Sequence, residues 1–386
     1  MQCHRRPPLH HLLCRRLESS WYTNYLWRFD KKPYLNINIK PLKRSKMKTR
    51  QLGCTLLLVF LSFASTIAQT NLEKLVQEGV AYHDAGDYDE AIKMYKQALK
   101  LDPQSSLANY EMSLTYFSKG EYKKVIKYAD AVLKQNSDHL LPAYMTKGSA
   151  LDLLGKTKES IKLFKTAINN HGGHYLLHYN LALNYYKLGE YQEAEENILK
   201  GLEDNKNHPS SHFMLASIHN QKGNAVQTLL ASYFFLFLEP NTQRSRDALQ
   251  MLEENFAGNV SKDENKENTI NVLLSADNDS QFGAAELMIS MLAASKYIEE
   301  NTDKSEVTLF EEKTESFFNI MGELNKEENK EIWWDFYTTF FYDLAQSEHL
   351  ESFCKYITQH NNENAQQWLE DNEAKLIAFE KWLANN

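Results

Sequence analysis

The sequence predicts an all-α chain, a solenoid of about five helical hairpins between Leu72 and Thr242 followed by an α-helical C-terminal domain. Three observations carry this. Glycines recur as Gly86, Gly120, Gly155, Gly189 and Gly223, separated by 34, 35, 34 and 34 residues. Such a period is the signature of stacked repeats, each one supersecondary unit. Proline is scarce, with only Pro103, Pro142, Pro209 and Pro240 after residue 68, which favours helix because interior proline costs a helix about 3 kcal/mol. Apolar residues then keep helical spacing beyond the repeats, as in Ile332, Trp333, Phe336, Phe340 and Leu344.

Each periodic glycine falls between two helical patterns, where a residue tolerant of left-handed geometry closes a helix. The turns read Gly86-Asp87-Tyr88, Gly120-Glu121-Tyr122, Gly189-Glu190-Tyr191 and Gly223-Asn224-Ala225. The first unit carries Gly79, Tyr82, Gly86, Tyr88, Ala91, Tyr95, Ala98, Leu99 and Pro103. The fourth repeats this with Leu181, Ala182, Tyr185, Gly189, Tyr191 and Ala194. Small residues such as Ala91, Ala98, Ala182 and Ala194 belong where two helices approach closely, and the aromatics fill the space beside them. The second unit has Val125 and Ala129 where small and aromatic residues are usual. The third keeps Tyr144, Gly148, Gly155, Phe164 and Ala167. The fifth keeps Leu215, Ala216, Gly223 and Pro240 but has Phe234-Phe235 in place of a small residue. That bulk predicts that something other than another repeat packs there.

This pattern resembles the tetratricopeptide repeat (TPR). On that resemblance the units run 72–105, 106–140, 141–174, 175–208 and a degenerate 209–242, with an acidic helical domain over 243–386. The resemblance implies a right-handed superhelix whose concave face is lined by the first helix of each pair. Tyr110, Phe117, Tyr179, Tyr186 and Phe213 would then line a groove, with His83, Asp84, Asp152, Lys187, Asn220 and Gln221 as polar neighbours. A protein partner, as an extended peptide or a helix, is the occupant such a groove suits. The alternative occupant is the chain's own C-terminal region. No basic clamp for a terminal carboxylate is evident.

His174 and His178 recur one unit later as His208 and His212, each pair at i,i+4. Neutral imidazoles on neighbouring helices can bind a transition metal. Against this, His178 and His212 stand where an aromatic is common, His174 and His208 fall in solvated turns, and no cysteine or zinc-protease pattern accompanies them. No metal and no cofactor is assigned. Beyond Gln243 the period is lost. Helices are predicted near 244–256, 281–300, 307–324, 330–346, 349–360 and 364–384, with a polar connection at 262–268. Trp368, Leu369, Leu376, Phe379 and Trp382 form the stripe of the last helix, and Cys354 reads as a buried structural thiol.

Residues 47–68 have the shape of a secretory signal peptide, with Lys48 and Arg50, an apolar run to Ala64, and small residues before a cut after Ala68. The run is too short for a comfortable membrane span. Residues 1–46 are basic and patternless and read as an upstream extension ahead of Met47. A basic arm on an uncleaved anchor is the alternative, and would be the chain's own attachment to a membrane. An exported location, periplasmic or outer-membrane associated, follows from the leader reading. Residues 243–386 hold 12 basic and 29 acidic side chains. That balance excludes nucleic acid as a partner of this half, because phosphate binding needs lysine and arginine. It suits a solvated surface or a cationic partner. No phosphate loop, nucleophile elbow, zinc-protease helix or dinucleotide fingerprint is present, so a non-catalytic scaffold is expected. The alternative is a binding or hydrolytic site in the acidic half, with the repeats as a recruitment module.

Overall fold

The computed structural model describes residues 69–385 except 136, 258–259, 263–268, 273–280, 295–304, 327–329 and 361. The leader-like segment 47–68, residues 1–46 and nearly all of the polar connection lie outside the described residues. The described chain is helical apart from one short ribbon. Its elements are α1 (69–84), α2 (Tyr88–Leu101), α3 (Ser106–Ser118), α4 (Tyr122–Leu133), α5 (Leu140–Leu153) and α6 (Thr157–His171). Then come α7 (Tyr175–Lys187), α8 (Tyr191–Asp204), α9 (Pro209–Lys222), α10 (Ala225–Leu238) and α11 (Gln243–Ala257). An antiparallel ribbon follows, β1 (Val260–Lys262) with β2 (Ile270–Val272), pairing Val260 with Val272. The rest is α12 (Gly283–Ala294), α13 (Glu306–Leu324), a π-helical turn Trp333–Thr338 running into α14 (Thr339–Ala345), α15 (Leu350–Ile357), α16 (Glu363–Asp371) and α17 (Glu373–Asn385).

The chain divides into two compact units, one ending at Asp204 and the other beginning at Asn205. The first holds hairpins α1–α2, α3–α4, α5–α6 and α7–α8. The second holds the fifth hairpin, α9–α10, together with everything after it.

The five hairpins close by one device. In the first, the Gly86 amide donates to the His83 carbonyl (2.9 Å) and the Asp87 amide to the Tyr82 carbonyl (2.8 Å). The same two bonds recur at Gly120, Gly155, Gly189 and Gly223. They satisfy carbonyls that a helix end leaves unpaired. All five glycines have positive φ, between 72° and 84°, a region costly for any residue with a Cβ.

Within a hairpin, size is matched across the pair. A Cβ on Gly148 would lie 2.1 Å from Phe164 Cζ, and one on Gly79 would lie 2.4 Å from Tyr95 Cε1. The second hairpin has Ser113 and Ala129 at these two places, the fourth Ala182 and Ile198, and the fifth Ala216 and Ser232, all fully buried. A large side chain on the second helix therefore goes with a glycine on the first. In the second hairpin the aromatic moves one place, and Tyr128 stacks on Tyr116 at 5.5 Å. Polar links tie successive hairpins. His83 Nδ1 bonds Thr115 Oγ1 (2.8 Å), Lys147 pairs with Asp130 (2.6 Å), Asn184 donates to Ser160 Oγ (2.7 Å), and Lys187 pairs with Asp152.

In the second unit α10 is buried on every side, from Thr228 to Leu238 without a break. A helix apolar all round must be enclosed by others. Tyr233 meets Phe318 at 4.9 Å and Phe341 at 5.8 Å, and Phe234 meets Phe336 at 4.8 Å. The Phe234-Phe235 bulk thus serves the C-terminal helices, as the sequence pattern anticipated. Loss of the period at Gln243 needs correction. Helix α11 begins 34 residues after α9, and its contacts keep that separation. Arg244 donates to Ser210 Oγ (2.9 Å) and Asn255 to Asn220 Oδ1 (2.9 Å). It occupies the place of a first helix in a sixth unit.

Two further expectations are corrected. Residues 260–262 and 270–272 are strands flanking the polar connection, where no strand was expected. The last helix is two helices, broken at Asn372, whose side-chain amide donates to the Trp368 carbonyl (2.9 Å). The sequence stripe runs through both because each half has its own buried residues, Leu369 in one and Leu376 and Phe379 in the other.

Candidate partner-binding groove

In the first unit the predicted groove residues sit on the first helices of their hairpins, two at each of two registers. Tyr110 and Tyr179 are equivalent to each other and to Met145. Phe117 and Tyr186 are equivalent to each other, to His83 and to Asp152. All four aromatics are partly exposed, as are Met145, Leu114 and Leu183. Positions separated by three, four and seven residues share one helix face, so α3 and α7 each turn an apolar stripe toward solvent, to which α5 adds Met145.

The second register also has local work to do. The Phe117 ring lies 5.6 Å from Tyr122 and the Tyr186 ring 5.4 Å from Tyr191, as His83 does from Tyr88 at 5.3 Å. In the third hairpin a hydrogen bond replaces the ring pair, Thr157 Oγ1 donating to Asp152 (2.8 Å). These contacts bridge the glycine turn. Tyr110 instead meets the His139 ring at 5.4 Å, at the entrance of the next first helix. Burial, followed by the neighbouring Tyr191, raises the Tyr186 hydroxyl above the ordinary tyrosine range.

Glu111 was not singled out by sequence. It stands on α3, and burial, then Asp84, pushes its carboxyl up to about 7. Its signal is faint in one sequence, being the lone carboxylate inside an apolar first helix. Lys187 and Asp152, both named as polar neighbours, are paired with each other.

Phe213 and Asn220 belong to the second unit and are engaged there. Phe213 packs on Phe235 at 4.9 Å and lies 5.7 Å from the Arg244 guanidinium. Asn220 accepts from Asn255. Arg244 is itself held by Glu239.

The histidines divide between the units. His174 caps α7, its Nδ1 accepting from the Leu176 amide (3.2 Å), and His178 Nδ1 bonds Asn197 Oδ1 (3.1 Å). In the second unit His208 bonds Ser211 Oγ (2.8 Å). Burial, then Arg244, lowers His208 to about 4, so it is not the solvated turn residue expected. His212 is fully buried, with Nε2 against the Lys206 carbonyl (2.7 Å) and Nδ1 against the Tyr337 hydroxyl (2.6 Å). A carbonyl only accepts, so Nε2 carries the proton and Nδ1 of the neutral ring accepts from Tyr337. Among the described residues no three histidine, cysteine or acidic side chains are grouped so as to hold a metal ion. Cys354 is buried, which pushes its thiol far up; a protonated thiol is a poor nucleophile. No described helix is long and apolar enough to cross a membrane.

One family model, described as a TPR repeat, matches residues 79–120, and another, described as a tetratricopeptide repeat, matches 145–206 and 179–227. A TPR repeat-containing protein of Methanocaldococcus jannaschii is 27% identical over 156 residues, covering 38% of this chain and 27% of the relative. The human protein O-mannosyl-transferase TMTC2 is 34% identical over 97 residues, covering 23% of this chain and 11% of the relative. This chain thus spans about a quarter or less of those relatives. A thermophilic TPR protein of Thermus thermophilus aligns in structure with 21% identity and a TM-score of 0.40, covering 47% of this chain and 99% of that one.

Proposed function

We propose that this chain, a tetratricopeptide-repeat protein, is a non-catalytic scaffold whose first four hairpins hold an extended peptide or helix of a partner protein. Its repeats make it a protein-interaction module. The finer reading rests on one observation, the partly exposed apolar face carried in register by successive first helices of the first unit. Tyr110, Met145 and Tyr179 repeat at one position, and Leu114 and Leu183 at another. Rigid aromatics of this kind are the anchors that dominate binding energy at interfaces. The periodicity of the face supports a partner that is itself regular, extended or helical, and lies across several hairpins.

The setting we propose is a bacterial cell-envelope assembly, with the partner supplying any membrane attachment. The leader-like residues 47–68 support that setting. Mass spectrometry of the mature protein is the check, and a first residue other than Gln69 would count against it. For the groove, a photo-cross-linking residue at position 110 or 179 of the full chain should yield discrete adducts with one polypeptide in cells. The same residue at position 196 on α8 should not. Equal labelling from both faces would defeat the proposal.

A further inference from the structure

A second surface of the first unit is built of lysine. Lys93, Lys127 and Lys162 occupy one register on α2, α4 and α6, 34 and 35 residues apart, and all are exposed. The ladder continues along the same helix faces with Lys96 and Lys165, Lys100 and Lys134, and Lys123 and Lys158, also exposed. Steps of three and four residues put these side chains on one stripe of each helix. Of its acidic members, Asp89 is paired with Lys119 (2.8 Å) and Asp130 with Lys147 (2.6 Å), so lysines from outside the ladder already neutralise them. Among the described residues Lys96, Lys100, Lys123, Lys158 and Lys162 take part in no ion pair. The ladder stops at α8, where the equivalent places hold Gln192, Glu196, Leu199 and Glu203. An ordinary solvated surface intersperses the two signs, and like charges one turn apart repel. Lys93 is itself paired with Glu90, and the lysines left unpaired suit an anionic counterpart.

The chain carries such a counterpart. Residues 243–386 hold 12 basic and 29 acidic side chains. Within them Glu370, Asp371 and Glu373, where α16 meets α17, are exposed and enter no ion pair among the described residues. We propose that the lysine ladder docks the acidic C-terminal region of a second copy of this chain. The contact is head to tail, two different surfaces meeting, so it leaves a free ladder and a free acidic end on each pair and can propagate.

Sedimentation velocity on the chain beginning at Gln69 tests this. At about 50 mM salt the mass should rise with protein concentration, and at about 500 mM salt it should fall to the monomer, because exposed charges are screened there. The triple variant Lys93→Glu, Lys127→Glu, Lys162→Glu should stay monomeric at low salt, with helical circular dichroism unchanged. The variant Glu370→Lys, Asp371→Lys, Glu373→Lys should do the same. Mixing the two should restore association, since each supplies the surface the other lacks. The milder lysine-to-glutamine triple should weaken association at least about tenfold without a change of fold. A wild-type chain monomeric at every concentration, or association indifferent to the triple, overturns the proposal. So does ladder-dependent binding to phosphatidylglycerol vesicles without self-association, which would assign the face to a lipid surface.

Discussion

Gly148 and Phe164 show how single residues fix the hairpin. The absent Cβ is the space the phenyl ring occupies, so Gly148→Ala should cost about 1–3 kcal/mol through overpacking. In a Phe164→Ala background the same change should cost less than about 0.5 kcal/mol, because the clash has gone. A double-mutant cycle by urea unfolding reads the difference as coupling. His212 makes a different demand. Burial holds its ring down to about 3, where an unfolded histidine has about 6.5. The unfolded chain therefore takes up a proton first, and the ring's contribution is complete above pH 6.5 and declines as the pH falls toward 3. The loss is at most about 5 kcal/mol. Tryptophan fluorescence of the chain beginning at Gln69 follows it, since the four tryptophans of that chain, Trp333, Trp334, Trp368 and Trp382, all lie in the second unit. The wild-type denaturation midpoint should drop between pH 6.5 and 4. His212→Phe should start lower at neutral pH, having left Tyr337 and the Lys206 carbonyl without their partner, and should then vary less with pH. An equally steep decline in the variant would remove His212 as the cause.

At the scale of elements, α11 is tied to the fifth hairpin through Arg244, which pairs with Glu239, bonds Ser210 and lies over Phe213 and Phe235. Arg244→Ala should lower the stability of the second unit by about 1–2 kcal/mol. Lysine at this place should recover only part of that, lacking the planar fork. Thermal melts of the three proteins, followed by tryptophan emission, decide it. The legibility of elements varied for physical reasons. The hairpins were readable because a left-handed turn needs glycine and a close helix contact needs a small residue, and both needs recur every 34 or 35 residues. The departure at α10 was readable too, as Phe234-Phe235 stands where bulk has no room in an ordinary repeat. Helix α11 kept the period without showing it, since its partners Ser210 and Asn220 are polar. The ribbon escaped notice because three-residue strands carry too little alternation. His208 and His212 look like a metal ladder in sequence, yet their contacts come from Ser211, Lys206 and Tyr337, and the last of these is 125 residues away.

The molecule as a whole consists of two compact units that carry one repeat pattern. Four hairpins bury their apolar faces against one another, while the fifth gives its second helix to an aromatic C-terminal core. Each unit should therefore unfold with its own transition. His212→Phe should shift the tryptophan signal while leaving most of the helical signal of the first unit in place. Groove residues were legible only through the repeat register, which gives a position on a helix but not its neighbours. The register left unseen that Phe117 and Tyr186 also brace their own turns, and that Phe213 and Asn220 are engaged by α11. Tyr110 and Tyr179 are thus the cleanest probes of partner binding. The most direct test takes a peptide selected by display on the full chain and measures its affinity by calorimetry. Tyr110→Ala with Tyr179→Ala should weaken binding at least about tenfold, or about 1.4 kcal/mol, while Lys162→Ala on the opposite helix changes it little and all three proteins melt alike. Unchanged affinity in the double variant would contradict a partner held by the first helices.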